Sequence, residues 1–160
     1  MEGTGQLFID GYNVLHAWGW LSANSRRAEL SAARDRLAEA VRVLHDVDGL
    51  GVRIVFDGRG ASAEVEPGSS DAGVGMVFAP ADRTADGVIE ALVAAARDPR
   101  RCTVVTADNL ERETVTAAGA SCLSPQDLMA WCERSRSRTA QAVARRAGKQ
   151  GKTWGNKLPL

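Results

Sequence analysis

The sequence lacks any apolar run long enough to cross a bilayer, and its opening residues, MEGTGQ, lack the basic start and apolar stretch of a secretory leader. Both absences argue for a cytoplasmic protein. Cysteine is scarce: Cys102, Cys122 and Cys132 are the only three, and no C-x-x-C spacing occurs. An odd count without that spacing argues against a disulfide framework or a zinc knuckle and fits a reducing compartment. Cys102 and Cys122 fall in or beside apolar runs, where core positions are expected. Several catalytic signatures are also missing. No G-x-G-x-x-G follows the first apolar run, which argues against a dinucleotide fold. Gly151-Lys152-Thr153 echoes the end of a P-loop, but Arg146 stands where its first glycine belongs. There is no G-x-S-x-G elbow and no internal repeat.

Acids are absent from the last 27 residues. All 20 Asp and Glu lie at or before Glu133, whereas Arg134 to Leu160 contain eight Lys or Arg. The formal net charge of +0 thus divides into about −8 on the body and +8 on the terminus. A basic terminus on an acidic body suggests a polyanionic partner such as RNA, or else a solvated tail.

What is present is ordinary in amount and regular in order. With 160 residues and 44% hydrophobic content, the chain is expected to form one domain, residues 1–134, with a basic tail over 135–160. Short β-branched runs are expected as strands at Leu7 to Ile9, Val52 to Phe56, Val74 to Ala79 and Cys102 to Thr106, with a short edge strand at Ala120 to Leu123. Between them, apolar spacing of three or four residues predicts helices from Ser25 to Val47, from about Asp82 to Arg97 and from Leu110 to Ala118. Ser124-Pro125-Gln126-Asp127 has the cap, first-turn proline and acid of a further helix start. A long loop is expected over 59–73. This alternation predicts an α/β fold with a mostly parallel central sheet and helices on both faces.

Three expected strands run into Asp: Asp10, Asp57 and Asp108. The remaining one, Val74 to Ala79, is followed after a short loop by Thr84-Ala85-Asp86 at a helix start. A parallel sheet puts all four carboxylates on the rim where ligands bind. Hard divalent cations, Mg²⁺ or Mn²⁺, take such oxygen donors and keep several waters. Each acid also has a plainer role: Asp10 and Asp57 as turn formers before glycine, Asp108 and Asp86 at helix starts. Asn13, three residues past Asp10, is placed to orient a carboxylate, a water or a phosphate, or to cap a helix.

IDGYNVL at 9–15, IVFDG at 54–58, VFAPADRTADGVIE at 77–90 and VVTADN at 104–109 resemble, in order, the YacP-like branch of the NYN domains. These are PIN-like bacterial ribonucleases. The resemblance covers about Leu7 to Arg134. It implies a three-layer α/β/α sandwich and a metal-dependent endoribonuclease, with Asp10, Asp86 and Asp108 as metal ligands, Asn13 assisting and Asp57 completing the acidic pocket. It implies RNA as partner, single-stranded or messenger, and for some relatives messages engaged with the ribosome. Two departures stand out: Gly87 follows the TAD motif where relatives often carry an acid, and Glu111-Arg112 stands where they often carry Glu-Gln. The expected RNA contacts are Arg34 and Arg59 near the mouth and Arg145, Arg146, Lys149, Lys152 and Trp154 in the tail. The alternatives are an inactive RNA- or ribosome-binding protein on the same fold and a metal-dependent phosphatase. The absence of an acid at Tyr12 weakens the latter.

Overall fold

The computed structural model describes residues 5–58, 64–65 and 73–157, with side chains described for 5–58 and 73–148. A sheet of six strands forms the middle layer, in the order β3-β4-β2-β1-β5-β6. The strands are β1 Gln6–Asp10, β2 Gly51–Phe56, β3 Glu64–Val65, β4 Val74–Phe78, β5 Cys102–Val105 and β6 Ser121–Leu123. All neighbours are parallel except the two-residue β3, which runs antiparallel to β4 at the edge. Helices α1 Gly11–Ala17, α2 Arg27–Asp46, α3 Ala85–Ala95, α4 Asn109–Ala117 and α5 Pro125–Lys157 cover it. The expected α/β/α sandwich is therefore present. Among the described residues no helix is long and apolar enough to cross a membrane.

The strands are buried on both faces, as parallel sheets require. Leu7 and Ile9 of β1 point into one core with Ile54, Phe56, Met76 and Val105. Leu37, Val41 and Leu44 of α2 and Leu128 and Cys132 of α5 close that core. Phe8, Val55 and Val104 point the other way, into a second core closed by Val88, Ile89 and Val93 of α3 and Val115 of α4. The free Cys102 is buried in this second core, and Cys122 packs half-buried against it.

Several elements differ from the sequence expectation: the two-residue β3 falls inside the loop expected over 59–73, and two differences bear on the site and the terminus. Chain direction reverses into a helix directly after Asp10, where turn-forming glycine was expected. Gly11 is the first helical residue because the Phe56 ring lies against its Cα; a Cβ there would collide with the ring. The second difference is α5, 33 residues long, whose backbone runs without a break through 134/135 into the basic terminus. The predicted start of α2 also shifts. Ser25 bonds back to Ser22 and leaves Arg26 at the N-cap without a side-chain bond.

Candidate active site

Strand register explains why the acids share one rim. In β1, Phe8 faces the α3/α4 core, so Asp10 two residues on faces the same side. Val55 in β2 and Val104 in β5 share that side, so residues two further along each strand project toward the same helices. Asp10 lies level with Val55, and Ile9 with Val105. The chain fills β2 and β4 on one side of β1 and returns to β5 on the other, which makes the C-terminal end of β1 the point where strand order reverses. Crevices open at such points.

The first turns of α3 and α4 come to this rim. Thr84 caps α3, its hydroxyl accepting from the Gly87 N–H at 3.2 Å. Asp57 ties the same helix to β2, its Oδ1 accepting from the Ala85 N–H at 2.7 Å. Gly58, next along, passes so close to the Ala79 carbonyl that a Cβ would collide with it. Asp86 is thereby brought beside Asp10. Asn13 braces the opposite side: its Oδ1 accepts from the Ala107 N–H at 2.8 Å and links α1 to the β5–α4 loop. Asp108 begins α4, its Oδ1 accepting from the N–H groups of Leu110 at 2.9 Å and Glu111 at 3.4 Å. It is exposed, and its own N–H donates to the Thr106 hydroxyl at 3.0 Å.

The sequence reading did not assign Glu111 to the site. Its spacing from Asp108 is that of a capping box, in which an acid three residues past the cap would reach back to the cap N–H. Here Thr106 already serves that N–H, and Glu111 turns inward on the α4 face that also buries Val115. It is 1% exposed. Neither of its carboxylate oxygens has a hydrogen bond of ordinary geometry; Asp10 and the Thr106 hydroxyl are its polar neighbours. The available signal was position: Glu111 lies four residues before Val115, on the helix's apolar stripe.

These surroundings act on the charges. Burial raises Glu111 from 4.5 to about 8; the Thr106 hydroxyl opposes the rise, and the nearby charges of Asp10 and Asp86 add to it. Asp10 is raised from 3.8 to about 6, first by burial and then by the charges of Asp57 and Asp86; Glu111 and the Asn13 N–H oppose the rise. Asp10, Asp57, Asp86 and Glu111 thus form one electrostatic group with no Lys or Arg ion pair among the described residues.

Such a group fits a hard divalent cation in kind, because its donors are all carboxylate oxygens and two of them are orphaned in a buried position. In geometry it is open. Among the described residues no three ligating side chains are gathered closely enough to hold one ion. Mg²⁺ is commonly held by one or two carboxylates with waters and substrate phosphate, so a closed cage is not required.

A cleft of about 1460 Å³ opens in front of Asp10 and Asp57. Tyr12, Asn13, Phe78 and Arg34 also line it; Asp86, Asp108 and Glu111 do not. Arg145 and Arg146 are exposed on α5, well away from it. Arg138, two turns earlier, bonds Asp48 at 2.7 Å, and Asp48 lies just before β2, at the opposite rim of the sheet. Arg145 is about 30 Å along α5 from its start, at a helical rise of about 1.5 Å per residue. Arg59 and the side chains of Lys149, Lys152 and Trp154 lie outside the described residues.

Residues 7–159 match the family model of the YacP-like NYN domain. Among solved structures, Rae1 (YacP) from Bacillus subtilis is similar, with 26% sequence identity and a TM-score of 0.69, covering 96% of this chain and 86% of that one. The W164L mutant of the same Bacillus subtilis protein superposes with a TM-score of 0.69 at 24% identity, covering 91% of this chain and 85% of that one. No curated protein matches the chain.

Proposed function

The chain belongs to the YacP-like NYN domain family, and on that premise we propose that it is a metal-dependent endoribonuclease. The observation that carries the reading is the group Asp10, Asp57, Asp86 and Glu111: four carboxylates, no ion pair to any of them among the described residues, and a carboxyl raised to about 8 at its buried end. Mutually repelling acids of this kind are held together at a cost, and a nuclease site gives that cost a use. Asp10, Asp86 and Asp108 are the metal ligands in this reading, with Glu111 as a further donor behind Asp10. Asp108 has one oxygen engaged in capping α4 and brings the other.

Bound there, Mg²⁺ or Mn²⁺ supplies an acidified water and neutralises charge on the phosphodiester. The chain's own residues do the rest. Asn13 fixes the β5–α4 loop against α1 and so sets Asp108 relative to Asp10. Asp57 fixes α3 and so sets Asp86. In the metal-free chain the Asp10–Glu111 pair holds a proton near neutral pH, and a cation bound there would displace it. Messages engaged with the ribosome are the substrate this reading extends to, and the basic half of α5 is its polyanion contact.

The test is cleavage of a single-stranded RNA with Mn²⁺ by the full chain and by Asp10→Asn and Asp86→Asn. The reading expects internal cuts and a loss of at least 100-fold in each variant. Unchanged cutting by both would end the carboxylate mechanism. RNA binding without any cutting by the parent would instead favour the inactive RNA-binding alternative.

A further inference from the structure

The cleft wall facing the acids holds a cation whose setting the nuclease chemistry does not require. Arg34, on the second turn of α2, donates from Nη1 to the Tyr12 hydroxyl at 3.1 Å. Its guanidinium carbon lies 5.2 Å from the Phe78 ring centroid and 5.8 Å from that of Phe56. Those two rings are paired across β2 and β4 and stack at 5.6 Å, and Tyr12 packs on Phe56 at 4.9 Å. Three rings thus fix one guanidinium. Asp10 and Asp57 line the same cleft, yet among the described residues Arg34 forms no ion pair.

The hydrogen-bond inventory says what this pair recognises. Arg34 has five N–H donors and no acceptor, and the structure spends one on Tyr12. Because the Tyr12 oxygen accepts that bond, the phenol proton is left to donate. The pair offers donors and positive charge, which suits an anion with several acceptor oxygens. The rings have already ordered the guanidinium, so little is lost in ordering it on binding. Phe78 and Tyr12 are half-buried and line the cleft beside this pair.

The geometry points to the Arg34–Tyr12 pair as a clamp for an unreacted backbone phosphate of a single-stranded RNA, neighbouring the phosphodiester held at the acids. This rests on the nuclease reading and adds to it: strand placement comes from inside the cleft, on the side opposite the carboxylates. The basic segment of α5, beyond the other rim, contributes nothing to it.

The test uses the full chain carrying Asp10→Asn, which prevents cutting, and a fluorescent single-stranded RNA of eight nucleotides read by anisotropy. Added Arg34→Met should weaken binding about tenfold and flatten the salt dependence by about 0.7 in log–log slope, the loss of one phosphate contact. Arg34→Lys, which keeps the charge without the planar fork, should fall between the two and guards against a folding defect in the Met variant. Tyr12→Phe should weaken binding alone but add nothing once Arg34 is Met, as expected of two groups acting on one phosphate. If Arg34→Met and Arg34→Lys bind within twofold of the parent with an unchanged salt slope, the clamp is overturned and the nuclease reading stands. If the parent binds no RNA and the wild type cuts none, both are overturned.

Discussion

Glu111 gives the site a pH signature that folding itself reports. An acid whose folded pKa is raised binds more protons in the native chain than in the unfolded one between the two values, here between 4.5 and about 8. Stability therefore falls as pH rises through that window. Asp10 adds to the fall between 3.8 and about 6. Glu111→Gln removes the larger part. In metal-free buffer its melting temperature should match wild type near pH 5 and exceed it at pH 8, by an amount equivalent to on the order of a few kcal/mol. Parallel melting curves across pH would mean that Glu111 is not held protonated. Asp108 allows its two roles to be separated. Asparagine caps helices as well as aspartate does, so Asp108→Asn should melt within about 0.5 kcal/mol of wild type. A loss of RNA cutting in that variant then reports the ligand oxygen and not the cap. Gly11→Ala makes the opposite kind of change. Its methyl meets the Phe56 ring, and overpacking of this sort costs about 1–3 kcal/mol, readable by urea unfolding.

At the scale of elements, α5 carries a prediction of its own. Ser135 is fully buried, and its hydroxyl donates to Asp48 at 2.8 Å while Arg138 bonds the other Asp48 oxygen. Asp48→Ala leaves a buried hydroxyl without its acceptor, which costs about 1–3 kcal/mol. Hydrogen exchange should show the loss concentrated along 132–142 while β1 and β5 stay protected; uniform loss would mean that α5 and the sheet open together. The elements also show what the sequence could disclose. Strand runs and the Asp-ended pattern were legible because parallel strands read as continuous apolar runs, and those runs place Asp10, Asp57 and Asp108 without knowledge of tertiary contacts. Three things were not legible. Helix α1 is invisible to periodicity, being seven residues long and starting on a glycine whose reason is the Phe56 ring across the sheet. Glu111 was not legible as a site residue, because the Thr106 hydroxyl already accepts from the Asp108 N–H that a capping acid would serve, and no local pattern reveals that bond. The charge of the tail, read as a polyanion contact or a solvated segment, conceals how far α5 continues.

Across the whole molecule, charge is divided between the two rims. The carboxylates occupy the C-terminal ends of the strands, and α5 carries Arg145 and Arg146 past the opposite ends. In the proposed reading, a short RNA in the cleft and a polyanion on α5 would therefore be separate contacts. Arg145→Ala with Arg146→Ala should weaken binding of a 40-nucleotide RNA several-fold more than that of an 8-nucleotide one, measured by anisotropy at fixed salt. Equal losses for both lengths would put the two contacts in one place. The account as a whole depends on a divalent ion at the end of β1. Calorimetric titration of the full chain with Mn²⁺ at pH 7.5 tests it most directly. Saturable binding that Asp10→Asn weakens at least tenfold is the predicted result; no binding by the wild type, or equal binding by the variant, would contradict it.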